Sequence, residues 1–372
     1  ISHSSERTGG GEDDFLRLLE YFHEKYCLYG IFPSGKRVEE FSKYFSDYCI
    51  VKNNIFPFSK LTGPLAYLRF IIAGFNNNKQ VIRFIKNKKI DLIYLNSSVC
   101  FFYIYGLQKL GIPIIMSVKE NINPNIFQKF IFKSIKSNTV KFIVISKYLK
   151  GIVEKYVEDA KIRLIYSAIE SRLILKHESN IDYQKKVFNS KTLYIVNIGV
   201  IAPYKGQHVL IDAINNSNLT NLKVDFIGRI TDDKYYEKLK TNIIKKRLKD
   251  KINFTGDLPR DFVYSIISKA DCVVITSLQE GQSLVVLEAL MLKKPIIASS
   301  VGIIPEVIKH EYNGLIYKPG DYSQLGKMLE IIALKPSLLD KLALNSDKFI
   351  DHRFSLEEYL SKYENVFKSY LN

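Results

Sequence analysis

The chain has no tryptophan, three methionines, six histidines and four cysteines among its 372 residues. Cys27, Cys49, Cys100 and Cys272 form no C-x-x-C pair, and no histidine cluster lies near them. That spacing offers no redox or metal motif and fits a reducing cytoplasm. Cys27, Cys100 and Cys272 sit in or beside apolar, strand-like runs, where a buried free thiol is expected. Long apolar runs are also missing. The longest, LTGPLAYLRFIIAGF from Leu61, carries Pro64 and Arg69 and is too short to span a bilayer; no signal peptide is visible. Acidic residues are in deficit: 54 Lys and Arg face 38 Asp and Glu, a formal net charge of +16. Such a balance invites nucleic acid, anionic membrane or phosphate-bearing ligands. Lys and Asn recur everywhere, however, so much of the charge reads equally well as solvated surface.

What is present is a globular composition, 47% hydrophobic, long enough for two domains. The opening, ISHSSERTGGGEDDF, reads as the tail of a strand whose beginning is cut off, then a loop, then a helix. YCLYGIF (Tyr26 to Phe32), DLIYLNSS (Asp91 to Ser98), IPIIMSV (Ile112 to Val118) and KFIVIS (Lys141 to Ser146) are buried-strand runs spaced by helices. RVEEFSKYFSDY is one of those helix candidates. Ile- and Val-rich runs in that rhythm predict a parallel sheet, with ligands beyond the carboxyl ends of its strands. Those ends carry Asn96, Ser97, Ser117, Lys119, Glu120 and Ser146. Residues 171–190 lose periodicity and read as a linker. A second set follows: LYIVNIGVI, LKVDFIG, KINFTG, DCVVITS, KPIIAS and NGLIYKPGD. The fold class is therefore α/β, with two doubly wound, Rossmann-like parallel-sheet domains facing a cleft. The expected boundaries are 1–185, 186–353, and 354–372 for a C-terminal helix that packs back toward the first domain.

Several stretches carry chemistry. GIFPSGKR (Gly30 to Arg37) nearly matches a phosphate loop, but Arg37 replaces the hydroxyl that would hold Mg²⁺, so it reads as a strand exit and turn. The glycine triplet of RTGGGEDDF opens a helix, where backbone amides can approach an anion; Glu12, Asp13 and Asp14 also suit a first helical turn without any ligand. In IGVIAPYKGQ a strand ends at Gly199 and places Lys205 near its carboxyl end, within reach of a diphosphate or merely in a loop. In SLQEGQSLVVLEAL (Ser277 to Leu290), a buried strand gives way to a helix expected over GQSLVVLEALM. Its first turn would hold Gly281, Gln282 and Ser283, with amides lacking helical partners. If helical geometry ran through the whole segment, Glu280 and Glu288 would lie about 12 Å apart along the axis and about 80° apart around it. A carboxylate accepts two hydrogen bonds from vicinal hydroxyls, so sugars are natural partners. Glu288 lies among Val285, Val286 and Ala289 on a mostly buried helix, where an unpaired carboxylate is costly.

EGQSLVVLE resembles the E-x7-E signature of the retaining glycosyltransferases of family 4, which have the GT-B fold. KPIIASSVGIIPEVIKHEYNGLIYKPGD resembles the stretch after it, IGVIAPYKGQ the first loop of the C-terminal domain, YSAIE the segment before the domain crossover, and SHSSERTGGGE the N-terminal glycine loop. The resemblance implies that the C-terminal domain binds a nucleotide sugar and the N-terminal domain the acceptor. By that implication Glu288 holds the ribose hydroxyls and Glu280 touches the transferred sugar. The amides of Gln282, Ser283 and Leu284, beside Gly281, take the distal phosphate, and Lys205 neutralises the diphosphate. Phe254 to Leu258 line the base, with Gly199 and Gly228 in the same site. Gly10 and Gly11 approach the phosphates from the other domain. Glu280, Lys205 and Ser117 are the catalytic candidates; Asn96, Lys119, Glu120 and Ser146 mark the acceptor side. This sequence departs from the pattern at Val200, where Arg is common; that cation is either lost or supplied by Arg229. Ser117 stands where a histidine is common, Ile303 replaces a second glycine, and Ser167 replaces an asparagine.

The implied activity is a retaining, metal-independent transfer from a nucleotide sugar, UDP-linked foremost and GDP-linked next, to a glycan or lipid-linked hydroxyl in cell-surface polysaccharide or lipopolysaccharide synthesis. No D-x-D triplet occurs, and no metal or other cofactor is expected. NNNKQVIRFIKNKK and NIFQKFIFKSIKS interleave basic and apolar residues at helical spacing, so peripheral contact with anionic membrane at the inner, cytoplasmic face is also an expectation. Two other classes stay open: a sugar-nucleotide epimerase of similar architecture, and a non-enzymatic polyanion binder. Tyr and Phe fall mostly in apolar periodic runs, which argues for core, and no nucleic-acid partner is expected.

Overall fold

A computed structural model describes residues 1–2, 10–51, 78–120, 140–158, 161–169 and 192–371. The expected linker at 171–190, the glycine loop before Gly10 and the basic stretch 125–137 lie outside these. Two compact units result: residues Ile1–Ser167 with Glu357–Asn372, and residues Ala168–Leu356.

In the first unit, β1 (Tyr29–Pro33) pairs in parallel with β2 (Asp47–Val51). A second parallel sheet runs in the order β3-β4-β5-β6, from Ile93–Leu95, Ile114–Val118, Val140–Val144 and Ile162–Leu164. Ile1 and Ser2 lie between the two sheets. The Ser2 amide donates to the Ile31 carbonyl at 2.9 Å, and the Asn96 amide to the Ile1 carbonyl at 2.9 Å. β4 is buried at every position, as a strand covered on both faces must be. β2 is a departure from expectation. The helix foreseen over RVEEFSKYFSDY stops after Val38–Ser42, and Asp47 and Tyr48 enter an edge strand. Edge pairing depends on a partner distant in sequence, which local pattern does not report.

The last helix, Leu356–Leu371, belongs to the first unit and buries Tyr359, Tyr363, Val366 and Phe367 at helical spacing. Tyr363 meets the Tyr94 ring edge-on at 6.0 Å, and Phe367 packs 4.8 Å from Phe22. The basic stretch 79–89 is helical over 78–86, but Val81 and Ile85 are spent in the core of the unit. Its apolar face is therefore occupied by protein.

The second unit has six parallel strands in the order β12-β11-β10-β7-β8-β9. They are β7 Leu193–Ile198, β8 Leu222–Ile227, β9 Ile252–Gly256, β10 Cys272–Ile275, β11 Ile296–Ser299 and β12 Leu315–Tyr317. All six runs foreseen in the sequence are strands. The chain starts at the sheet centre, builds outward through β9, then returns beside β7 and builds outward the other way. The order reverses between β7 and β10, and a ligand crevice opens at such a switch point, outside the carboxyl ends of the strands.

All four cysteines are free. Cys100 and Cys272 are buried as expected, and burial pushes the Cys100 thiol up to about 12. Cys27 is exposed, contrary to expectation, because it precedes β1 rather than lying in it.

Candidate active site

The switch point in the second unit is built by two loops. After β7 the chain passes Gly199, makes a short turn over Pro203–Lys205, and enters the Gln207–Asn215 helix. Gly206 has φ +67°, and a Cβ there would run into the Thr276 carbonyl, so the loop lies flush against the end of β10. Thr276 Oγ1 donates to the Lys205 carbonyl at 2.8 Å, and Asn197 Nδ2 donates to Thr276 Oγ1 at 3.1 Å. The Leu278 amide reaches the Tyr204 carbonyl at 2.8 Å. The ends of β7 and β10 are thus stitched together, and this stitching brings Lys205 to Glu280.

Lys205 Nζ lies 2.7 and 2.9 Å from the two carboxylate oxygens of Glu280. The side chains are 20% and 9% exposed. Burial pulls the Lys205 ammonium down, but the charge and hydrogen bond of Glu280 outweigh it, and the net shift is upward. The lysine stem lies across Gly199, whose absent Cβ would sit 3.7 Å from Lys205 Cδ. Gly228, at the end of β8, packs on the backbone of Gly199. Arg229 follows, half-exposed, with no side-chain hydrogen bond or ion pair among the described residues.

The loop after Glu280 differs from expectation. The helix is Leu284–Met291; Ser283 is its N-cap with extended backbone, and Gly281 and Gln282 precede it. The helical projection linking Glu280 to Glu288 therefore does not apply, since Glu280 sits in the loop. The first-turn amides still lack helical acceptors. Gly302, at φ +55°, shapes this loop from the other side. A Cβ there would lie 2.6 Å from the Glu280 carbonyl and 2.7 Å from that of Gly281. Only glycine fits such a close backbone approach.

Glu288 is 6% exposed on that helix. Tyr264, fully buried on the Arg260–Lys269 helix, donates its hydroxyl to Glu288 Oε1 at 3.0 Å. Arg260 Nη2 lies 3.6 Å from the same oxygen. The carboxylate that the sequence marked as costly is thus partnered. Leu258 is half-buried in the loop before that helix, while the Phe254 ring stacks on Phe226 at 5.1 Å and belongs to the core.

The first unit gathers a second polar group at the ends of β3 and β4. Lys119 Nζ donates to Asn96 Oδ1 at 2.9 Å and to the Gly11 carbonyl at 3.3 Å, so it ties the start of the Gly10–Phe22 helix to β3. Asp14, 1% exposed, pairs with Arg17 at 3.0 Å. Burial raises its pKa, against the downward pull of Lys119, a Ser167 hydrogen bond and Arg17. Glu120 accepts from the hydroxyls of Ser97 and Ser98, each at 2.6 Å. Two sequence-marked residues fall outside this group. Ser146 caps the Lys147–Val153 helix, accepting from the Leu149 amide. Ser117 is fully buried within β4, its hydroxyl 3.4 Å from that of Tyr363 on the last helix. Ser117 thus packs under the last helix, whereas Lys119, just past the end of β4, reaches Asn96 at the strand mouth. A cavity of about 290 Å³ also lies in this unit, lined by Tyr29, Ile93 and Phe367 among others, at the amino ends of β1 and β3 and so away from the Asn96–Lys119–Glu120 group.

Arg260 and Tyr264 were missed in the sequence. Their i, i+4 spacing puts them on one helix face, but only the sheet order shows that this face meets Glu288.

Residues 178–349 match the family model described as glycosyl transferases group 1. The chain is 28% identical over 308 residues to an uncharacterized glycosyltransferase of Methanocaldococcus jannaschii, covering 81% of each. It is 23% identical over 220 residues to the O-antigen chain mannosyltransferase RfbU of Salmonella typhimurium, covering 58% of this chain and 57% of that one. Among solved structures, Anabaena Alr3699/HepE in complex with UDP-glucose superposes with a TM-score of 0.76 at 18% identity, covering 99% of this chain and 98% of that one. The fold is GT-B, and the matches support a glycosyltransferase of group 1.

Proposed function

We propose that this chain transfers a sugar, with retained anomeric configuration and without a metal, from a nucleoside-diphosphate sugar to a hydroxyl of a glycan or lipid-linked acceptor. The observation that carries the reading is the Lys205–Glu280 pair at the switch point of the second sheet, with the Leu284–Met291 helix start and Glu288 beside it. Lys205 and Arg229 supply positive charge to the diphosphate, and the amides of Ser283 and Leu284 supply donors; such fixed groups stabilise a departing anion without rearranging. Glu288 accepts from the ribose diol, and Glu280 from the transferred sugar. The bond from the anomeric carbon to the phosphate oxygen breaks as the acceptor oxygen attacks the same face, and the phosphate takes the acceptor's proton. A UDP-linked donor is favoured because a structural neighbour was solved with UDP-glucose. A saccharide acceptor for cell-surface polysaccharide is favoured by the O-antigen relative.

The first unit is assigned the acceptor, through Asn96, Lys119 and Glu120. The protein would work at the inner face of the membrane; among the described residues no helix is long and apolar enough to cross one. Vesicle flotation tests that contact, and failure to float with anionic vesicles at low salt contradicts it. The activity is tested by incubating UDP- and GDP-sugars with mixed glycan acceptors and reading the anomeric proton of the product by NMR. An inverted product, or conversion of the donor with no acceptor, contradicts the reading.

A further inference from the structure

Glu288 is held by a small apparatus that the nucleotide reading does not require. Arg260 and Tyr264 stand one helical turn apart on the Arg260–Lys269 helix, and both address Glu288 Oε1, at 3.6 and 3.0 Å. A hydroxyl donating to this oxygen and a guanidinium ion-paired with it together restrain the rotation of the carboxylate. The supporting helix is pinned at its other end. Lys294, only 3% exposed, donates Nζ to the carbonyls of Ser268 and Ala270, at 2.5 and 3.2 Å. A buried ammonium on the last carbonyls stabilises a helix terminus, where the dipole is negative. Both ends of the lever are therefore set: Lys294 fixes the helix, and Tyr264 and Arg260 fix Glu288. Arg260, whose side chain is 35% exposed, also comes two residues after Leu258, at the exit of the loop assigned to the base.

We propose that Arg260 and Tyr264 are positioning residues that orient the Glu288 carboxylate toward a vicinal diol, making the second unit selective for ribonucleoside over 2′-deoxyribonucleoside diphosphates. This rests on the reading of Glu288 as the ribose contact. A carboxylate free to rotate accepts one hydroxyl nearly as well as two. One held in plane gains both hydrogen bonds only from an intact diol, and loses one with the 2′-deoxy sugar. A charge-assisted hydrogen bond corresponds to about a tenfold or greater change in affinity.

The test is calorimetric titration of the full chain with UDP and 2′-deoxy-UDP, and in parallel with GDP and 2′-deoxy-GDP. Wild type, Glu288→Ala, Tyr264→Phe, Arg260→Met and Arg260→Lys are compared. Wild type should prefer the ribonucleotide about tenfold or more, and Glu288→Ala should bring the ratio near one. Tyr264→Phe and Arg260→Met should each lower the ratio about threefold or more, chiefly by weakening the ribonucleotide. Arg260→Lys, which keeps the charge, should recover part of it. Tyr264→Phe removes a single hydroxyl, and Arg260 is partly exposed, so both variants are expected to fold. A merely structural role would weaken both nucleotides equally and leave the ratio unchanged, which would overturn the proposal. If Glu288→Ala removes the preference while Tyr264→Phe and Arg260→Met keep it, the positioning proposal fails and the ribose reading stands. If no nucleotide binds, or Glu288→Ala binds both as wild type does, the ribose reading itself fails and takes the proposal with it.

Discussion

Replacing Lys205 by methionine leaves the Glu280 carboxylate, 9% exposed, without its cation. Breaking a buried pair from one side is destabilising by about 3–5 kcal/mol, whereas an exposed pair contributes about 0–1 kcal/mol. Exposures of 20% and 9% put this pair nearer the buried end, so about 2–4 kcal/mol is expected. For a unit of this size each kcal/mol moves the melting temperature by about 2–4 °C, so K205M should melt about 4–16 °C lower. For UDP the two partners should act with opposite sign. K205M removes a charge-assisted contact and should weaken binding about tenfold or more. Glu280→Gln removes a carboxylate that competes with the diphosphate for the same ammonium. Within ~6 Å of a phosphate charge, that carboxylate repels by about 1–3 kcal/mol at an effective dielectric of about 20–40. E280Q should therefore bind UDP at least severalfold tighter while sugar transfer falls. Differential scanning calorimetry and isothermal titration read both effects. Equal melting temperatures for wild type and K205M would refute the contribution of the pair to stability. Weaker UDP binding by E280Q would refute the competition.

Other expectations follow from the same geometry. Because the pKa of Lys205 is raised, its share of stability is fully present below the ordinary 10.5 and fades only as pH rises through the higher folded value; a wild-type versus K205M melting series across alkaline pH reads it. Gly302→Val drives a side chain into the Glu280 and Gly281 carbonyls, and should destabilise the protein by about 1–3 kcal/mol and reduce transfer more than UDP affinity. Ser146→Ala should lower stability by about 1 kcal/mol through loss of a helix cap and leave the KM for acceptor unchanged; a raised KM would return Ser146 to the acceptor side. Brief alkylation followed by mass spectrometry should label Cys27, whose thiol is held lower by hydrogen bonds with Ser46 and Tyr29, and spare buried Cys100 and Cys272 until unfolding.

The second unit was legible because each of its six strands is a short apolar run buried on both faces, a pattern local to the strand. Glu280 and Lys205 were legible because they sit in the loops at strand exits, where a doubly wound sheet presents ligands, and Glu288 because it is a carboxylate on a mostly apolar helix. What escaped the sequence depends on which strands become neighbours. Lys205 meets Glu280 only because β10 returns beside β7, and Tyr264 meets Glu288 only because their helices share one face of that sheet. The helix starts only at Leu284, and the loop before it lies against Gly302, a contact invisible along the chain. Ser117 was read at a strand end, but all five residues of β4 are buried and its hydroxyl lies against Tyr363, a partner distant in sequence. β2 escaped because Asp47 and Tyr48 look helical until β1 supplies their hydrogen bonds.

The central claim is that the second unit holds a nucleoside diphosphate through Lys205 and Glu288. Isothermal titration of the wild-type chain and of Glu288→Ala with UDP, GDP and ADP tests it most directly. The account predicts saturable one-to-one binding of at least one of them, UDP foremost, weakened about tenfold or more in the variant. Absence of binding by all three, or equal affinity in wild type and variant, would contradict it.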